Sequence, residues 1–203
     1  MPTLDFHPSG RHFLQIPGPS PVPDRVLRAI SLPTIDHRGP EFGALGRKVL
    51  AGIAQVFQTK QPVVIYPASG TGAWEAALAN ALSPGDAVLM VETGHFASLW
   101  HKMALRLQLQ PEFNAWQGAD EHLPNAPSWR RGVPAELIEA RLRKDAGKKF
   151  KAVCVVHNET STGTMSDLPA LAAVLREFPD VISIVDTVSS FTVLPIKKDE
   201  LGT

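Results

Sequence analysis

From residue 62 onward the chain alternates short, unbroken apolar runs with segments of helical period, and few folds accommodate that alternation. The runs are Val63-Val-Ile-Tyr66, Ala87-Val-Leu-Met-Val91, Ala152-Val-Cys-Val-Val156 and Val181-Ile-Ser-Ile-Val185. Strands that are apolar at every position rather than every second one are covered on both faces, which is the situation of a parallel sheet. Between them the spacing predicts helices over 70–82, 96–107, 136–144 and 168–178. The first is stopped by Ser83-Pro84-Gly85, and the second repeats Leu99, Met103 and Leu107 every four residues. The fold class that follows is α/β, a mostly parallel sheet with helices on both faces.

The first sixty residues read differently. Pro17, Pro19, Pro21 and Pro23 alternate, which favours an extended arm over 1–23. Asp24 suits the start of a short helix ending near Ile30. A longer helix follows Pro40, with Leu45, Val49, Ile53, Val56 and Phe57 roughly on one face. The expected organisation is therefore an arm (1–23) followed by one α/β region (24–203). Residues 115–132, with Trp116, Pro124, Pro127 and Trp129, read as an irregular excursion.

Composition removes several function classes. The 203 residues carry 20 Lys+Arg against 20 Asp+Glu, so no basic excess exists for a nucleic acid or an anionic membrane. No apolar stretch approaches the ~18 residues a membrane span requires, and the first eight residues form no secretory signal. A lone cysteine, Cys154, excludes an internal disulfide, and the expected compartment is reducing and cytoplasmic. His95 and His101 lie six apart, off a common helical face, and no metal-ligand cluster is expected. Ser189-Ser190 lacks the flanking glycines of a nucleophile elbow.

Four segments can carry chemistry. Ser69-Gly-Thr-Gly72 joins a predicted strand to a helix, so its amides and hydroxyls suit a phosphate, or equally an ordinary capped turn. It is neither a Walker loop nor a dinucleotide fingerprint, since no Gly-Lys-Ser/Thr and no third glycine follow. Asp186 stands at the C-terminal end of a buried strand, where open α/β sheets bind ligands and where a buried carboxylate calls for a cation. His157-Asn-Glu-Thr-Ser-Thr-Gly163 is a polar strand end, and Phe96 sits at a strand-to-helix junction. Strand ends after residues 66, 156 and 185 are expected to meet at one sheet edge.

Taken in order, these segments resemble the class V (fold type I) pyridoxal-phosphate aminotransferases, and within them the serine–glyoxylate branch. The resemblance is carried by Ile16-Pro-Gly-Pro-Ser-Pro-Val-Pro-Asp-Arg-Val-Leu27, His37-Arg-Gly-Pro-Glu-Phe42, Ser69-Gly-Thr-Gly-Ala-Trp-Glu-Ala76 and Leu82-Ser-Pro-Gly-Asp86. Trp129-Arg-Arg-Gly-Val133, His157–Gly163 and Val185-Asp-Thr-Val-Ser-Ser190 continue it. It implies that Ser69, Gly70 and Thr71 hold the phosphate of pyridoxal 5′-phosphate and that Phe96 stacks on its ring. Thr160 is implied to bond near the ring hydroxyl and Asp186 to pair with the protonated ring nitrogen. It also implies amino-group transfer from L-serine to glyoxylate in a homodimer, with alanine–glyoxylate transfer, a desulfurase or a lyase as alternatives. The family's Schiff-base lysine stands in a Gly-Ser-Gln-Lys type motif that these 203 residues lack. Lys197 and Lys198 follow Asp186 too soon to match it. The expectation is the N-terminal half of such an enzyme, incapable of transamination alone.

Overall fold

The computed structural model describes Ile16 and residues 18–115, 131–145 and 149–202. It divides into two compact units, 1–46 and 47–203. In the first, Asp24 opens helix α1 (Asp24–Ile30), and helix α2 (Pro40–Val56) begins. Of the expected arm, Ile16 and residues 18–23 are described and are exposed. No residue of α2 is buried, its apolar positions included.

The second unit is built on four parallel strands, β1 (Ala87–Glu92), β2 (Gln110–Ala115), β3 (Phe150–Val156) and β4 (Ile182–Asp186), in the order β2-β1-β3-β4. Four helices flank it: α3 (Gly70–Ala81), α4 (His95–Arg106), α5 (Ala135–Lys144) and α6 (Leu168–Leu175). A last turn, α7 (Lys198–Leu201), follows. The expected α/β class and the coverage of both faces are observed. Val88 and Met90 of β1, with Ala152, Cys154 and Val156 of β3, pack with Trp74, Leu78, Trp100 and Ala104 of α3 and α4. Leu89 and Val91, with Val153 and Val155, pack instead with Ile138 and Leu142 of α5 and Leu168 and Leu171 of α6. Successive side chains thus go to opposite layers, and both layers are apolar. A register shift opposite Ala87/Val88 leaves Lys151 unpaired and exposed, which returns Phe150 to the α5–α6 layer.

Local chemistry explains the boundaries. After α3, Gly85 takes φ +93°, a left-handed value suited to glycine, while the Asp86 carboxylate accepts from the Ser83 amide at 2.8 Å. Helix α6 starts at Asp167, whose Oδ1 accepts from the Ala170 amide at 3.0 Å, with Pro169 in the first turn.

Two expectations change. The run 63–66 belongs to no ladder, and Val64, Ile65 and Tyr66 are 68%, 57% and 49% exposed. A strand exists only with a hydrogen-bonded neighbour, and apolar composition does not supply one. Conversely, 110–115 is a strand at the β2 edge although its sequence, Gln-Pro-Glu-Phe-Asn-Ala, is mostly polar. Pro111 is tolerated because an edge strand leaves one row of amides unpaired. Phe113 supplies its anchor, packing on the α4 side and stacking on His101 at 4.3 Å. Residues 116–130 of the expected excursion lie outside the described residues.

Ile138, fully buried, and Val64, 68% exposed, give a contrast in stability. Ile138→Ala is expected to cost ~2–5 kcal/mol in urea unfolding, and Val64→Ala less than about 0.5 kcal/mol.

Candidate active site

The strand order reverses direction once. The chain steps from β1 outward to β2, then returns past β1 to β3 and on to β4, so the switch lies between β1 and β3. At such a point the loops leaving the two strand ends part, and a crevice opens at their C-terminal edge. The segments around it are Thr93-Gly94-His95-Phe96 after β1, His157–Gly163 after β3 and Asp186–Ser190 at the end of β4.

A buried carboxylate closes the start of α4. Glu159, 0% exposed, lies after β3, and its Oε1 accepts from the Phe96 amide at 3.3 Å, the Ser161 amide at 3.1 Å and the Ser161 hydroxyl at 2.7 Å. Its Oε2 accepts from the Ala97 amide at 3.1 Å, and Ser161 Oγ accepts from the His95 amide at 2.9 Å. The first three amides of α4 are therefore capped from another strand's loop. This arrangement substitutes for a local cap, because Gly94 has no side chain to offer. Gly94 is also sterically required. Its φ is +153°, and a Cβ there would stand 2.6 Å from Ser161 Oγ and 2.7 Å from Glu159 Cγ.

Helix α3 starts differently. Gly72 and Ala73 donate to the Ser69 carbonyl, Ser69 and Thr71 share a 2.6 Å hydroxyl contact, and no side chain caps the helix. The Gly70 and Thr71 amides and two hydroxyls thus face solvent at the positive end of the helix dipole. This turn lies against the end of β4, since a Cβ on Gly70 would approach Val188 Cγ2 to 2.9 Å. It reaches the ligand edge although the 63–66 run leading to it is not a strand. The three strand ends that meet there are those of β1, β3 and β4.

Asp186 joins these parts. Its Oδ2 accepts from Trp74 Nε1 at 2.9 Å and its Oδ1 from the Val188 amide at 2.8 Å. Burial raises its pKa above the ordinary carboxylate value; the two donors lower it, and the nearby Glu159 raises it again. Among the described residues no basic side chain forms an ion pair with it. Trp74 stacks on Trp100 at 5.4 Å and meets the edge of Phe96 at 6.3 Å, so Phe96, Trp74, Asp186, Val188 and Gly70 are contiguous.

Two further contacts tie β3's loop to β4's. Thr160 Oγ1 is hydrogen-bonded to Ser189 Oγ, and the buried His157 places Nδ1 2.7 Å from Ser190 Oγ. Burial lowers the His157 pKa. All the residues singled out from the sequence, Ser69, Gly70, Thr71, Phe96, Thr160 and Asp186, thus lie on elements that border one crevice. Cys154 lies inside β3, its thiol pushed up to about 12 by burial, which makes it packing rather than nucleophile. Lys197 pairs with Glu200 at 3.1 Å at the start of α7. The roles of Trp74 and Glu159 escaped sequence reading. The available signal for Glu159 was Thr93-Gly94, a helix start without a capping side chain.

The class-V aminotransferase family model matches residues 12–203. The chain belongs to that family. It is 40% identical over 193 residues to serine–glyoxylate aminotransferase of Methylorubrum extorquens, covering 94% of this chain and 45% of that protein. It is 38% identical over 190 residues to L-aspartate–glyoxylate aminotransferase of Paracoccus denitrificans, covering 92% and 45%. The crystal structure of alanine–glyoxylate aminotransferase from Nostoc superposes with a TM-score of 0.79 at 29% identity, covering 98% of this chain and 50% of that one. The chain thus spans about half the length of these relatives. Its family depends on pyridoxal phosphate.

The raised Asp186 pKa has a definite sign. The ionised carboxylate destabilises the fold, by an amount absent below the ordinary carboxylate range and complete once pH has passed the folded-state value. Carbon-13 NMR should find Asp186 titrating above an ordinary aspartate, and Trp74→Phe, which deletes one donor, should move the midpoint higher still. A midpoint at or below the ordinary value would contradict this account.

Proposed function

We propose that this crevice binds pyridoxal 5′-phosphate and that the chain is the cofactor-cradling part of a glyoxylate aminotransferase that takes L-serine as amino donor. Residues 24–203 form part of its large domain, behind an arm over 1–23, and the complete enzyme is a homodimer. The observation that carries the reading is Asp186, a largely buried carboxylate with two neutral donors, a second carboxylate nearby and no cationic partner among the described residues. A protonated pyridine nitrogen supplies the missing charge, and a doubly negative phosphate suits the uncapped start of α3.

The residues present fit the cofactor in each of its parts. Ser69, Gly70 and Thr71 offer amides and hydroxyls to the phosphate. The alternative helix start, that of α4, is already filled by Glu159, which directs an anion to α3. Phe96, half-buried beside Trp74, would cover one face of the ring. Thr160, whose hydroxyl is bonded to Ser189, would be the residue beside the ring oxygen.

When bound, the cofactor supplies the electron sink for amino-group transfer. The chain's own contribution is to keep that sink effective. Asp186 holds the proton on the ring nitrogen, Trp74 and the Val188 amide hold Asp186, and the packed aromatic side chains limit water on that face. Glyoxylate as acceptor is favoured because relatives with three different donors share it in their names. Serine as donor is favoured by relatives named serine–glyoxylate aminotransferase at 40% identity and by the motifs shared with that branch. The partners are accordingly small amino and 2-oxo acids.

Equilibrium dialysis and tryptophan fluorescence test the reading. Pyridoxal 5′-phosphate should bind more tightly than pyridoxal, and Asp186→Asn should raise its Kd about 100-fold, the order expected on removing one partner of a buried charge pair. Thr71→Val should weaken the phosphate form while leaving pyridoxal binding unchanged. Equal affinity for both forms, or an unaltered Asp186→Asn, would overturn the assignment. The 203-residue chain alone is expected to form no glycine from serine and glyoxylate.

A further inference from the structure

We propose that Glu159 is a positioning residue for the ring site, one carboxylate that fixes Phe96 and Thr160 relative to each other. The inference rests on the cofactor reading above and concerns a residue that reading gives no contact with the cofactor. Glu159 is wholly buried and its two oxygens take four donors, three of them backbone amides. Two of those amides belong to Phe96 and Ala97, and one to Ser161, the residue after Thr160. The group bonded to the helix that carries Phe96 is therefore also bonded to the loop that carries Thr160. Phe96 would cover the ring and Thr160 meet its edge, so a single anchor sets the spacing between the two.

The start of α4 stabilises this anion through its amides and its dipole. That stabilisation does not remove its field at Asp186, where Glu159 acts to favour the protonated acid. Bonded to Asp186 are Trp74 from α3, the Val188 amide from its own loop, and His157 just after β3, whose amide donates to the Asp186 carbonyl at 2.9 Å; Glu159 of β3's loop acts on it electrostatically. Only Glu159 among these brings a negative side chain. Glu159 is matched by four donors, and Asp186, with two neutral donors, is left to take the cation.

Two substitutions separate placement from charge. Glu159→Gln removes the charge and spoils the cap, because a carboxamide turns a donor toward amides that also donate. Ser161→Ala removes one donor to Glu159 and the acceptor of the His95 amide, leaving the charge intact. Folding is checked by circular dichroism. Amide hydrogen exchange without cofactor should be at least about tenfold faster at His95 and Phe96 in Ser161→Ala, and at Phe96, Ala97 and Ser161 in Glu159→Gln. Both variants should raise the Kd for pyridoxal 5′-phosphate, Glu159→Gln by about tenfold. Only Glu159→Gln should shift the acid limb of the binding profile to lower pH, since Asp186 then ionises more readily. A purely structural role would lower affinity by the same factor at every pH.

Unchanged exchange in Ser161→Ala overturns the proposal, and an unshifted acid limb in a folded Glu159→Gln overturns the electrostatic action on Asp186. If Glu159→Gln does not fold, the exchange and affinity of Ser161→Ala decide the proposal. Failure of the parent chain to bind the cofactor, with exchange altered as described, removes the cofactor reading and leaves Glu159 as the anchor of α4.

Discussion

The reversal of strand order between β1 and β3 is the constraint from which the site derives. A parallel sheet brings all its strand ends to one edge, and the reversal separates the connections there, so polar backbone would stand open in the middle of the molecule. Glu159 closes part of that opening. It satisfies the start of α4 from the neighbouring loop, and Gly94 lets that loop approach because it has no Cβ to obstruct it. The crevice that remains is bounded by the uncapped start of α3 and by Asp186.

The two helix starts show how similar geometry acquires opposite uses. Both present amides to the ligand edge. One has received an internal anion and is silent toward ligands, and the other keeps its amides and two hydroxyls available. The uncapped start of α3 is the electropositive end of this surface, and Asp186 its carboxylate end. Selection among amino donors is a separate matter, involving groups that contact the donor itself.

Legibility in the sequence varied with how local the cause was. Helices α3 to α6 were readable because period and stops lie within each segment: Gly85 shapes the turn that follows α3, and Asp167 caps α6. The buried strands were readable because both faces are apolar. The 63–66 run was misread for the same reason, its composition being that of a strand without the pairing. Strand β2 was missed because its pairing with β1, not its composition, makes it one. Candidate positions 69–71, 96, 160 and 186 were legible as strand ends and turns, whereas Trp74 and Glu159 were not, since their partners are 112 and 62 residues away.

By itself, the amino-acid order determined the α/β class, the main helices and the set of turns able to carry polar chemistry, because each is governed by side chains within a few positions of one another. Tertiary structure alone decided which strand lies beside which, where the chain reverses, and hence that the carboxylate at 159 caps a helix while that at 186 takes two neutral donors. Those outcomes depend on distances through space between residues far apart in the chain, and a buried charge is stabilised or left exposed to repulsion only by what folding brings next to it.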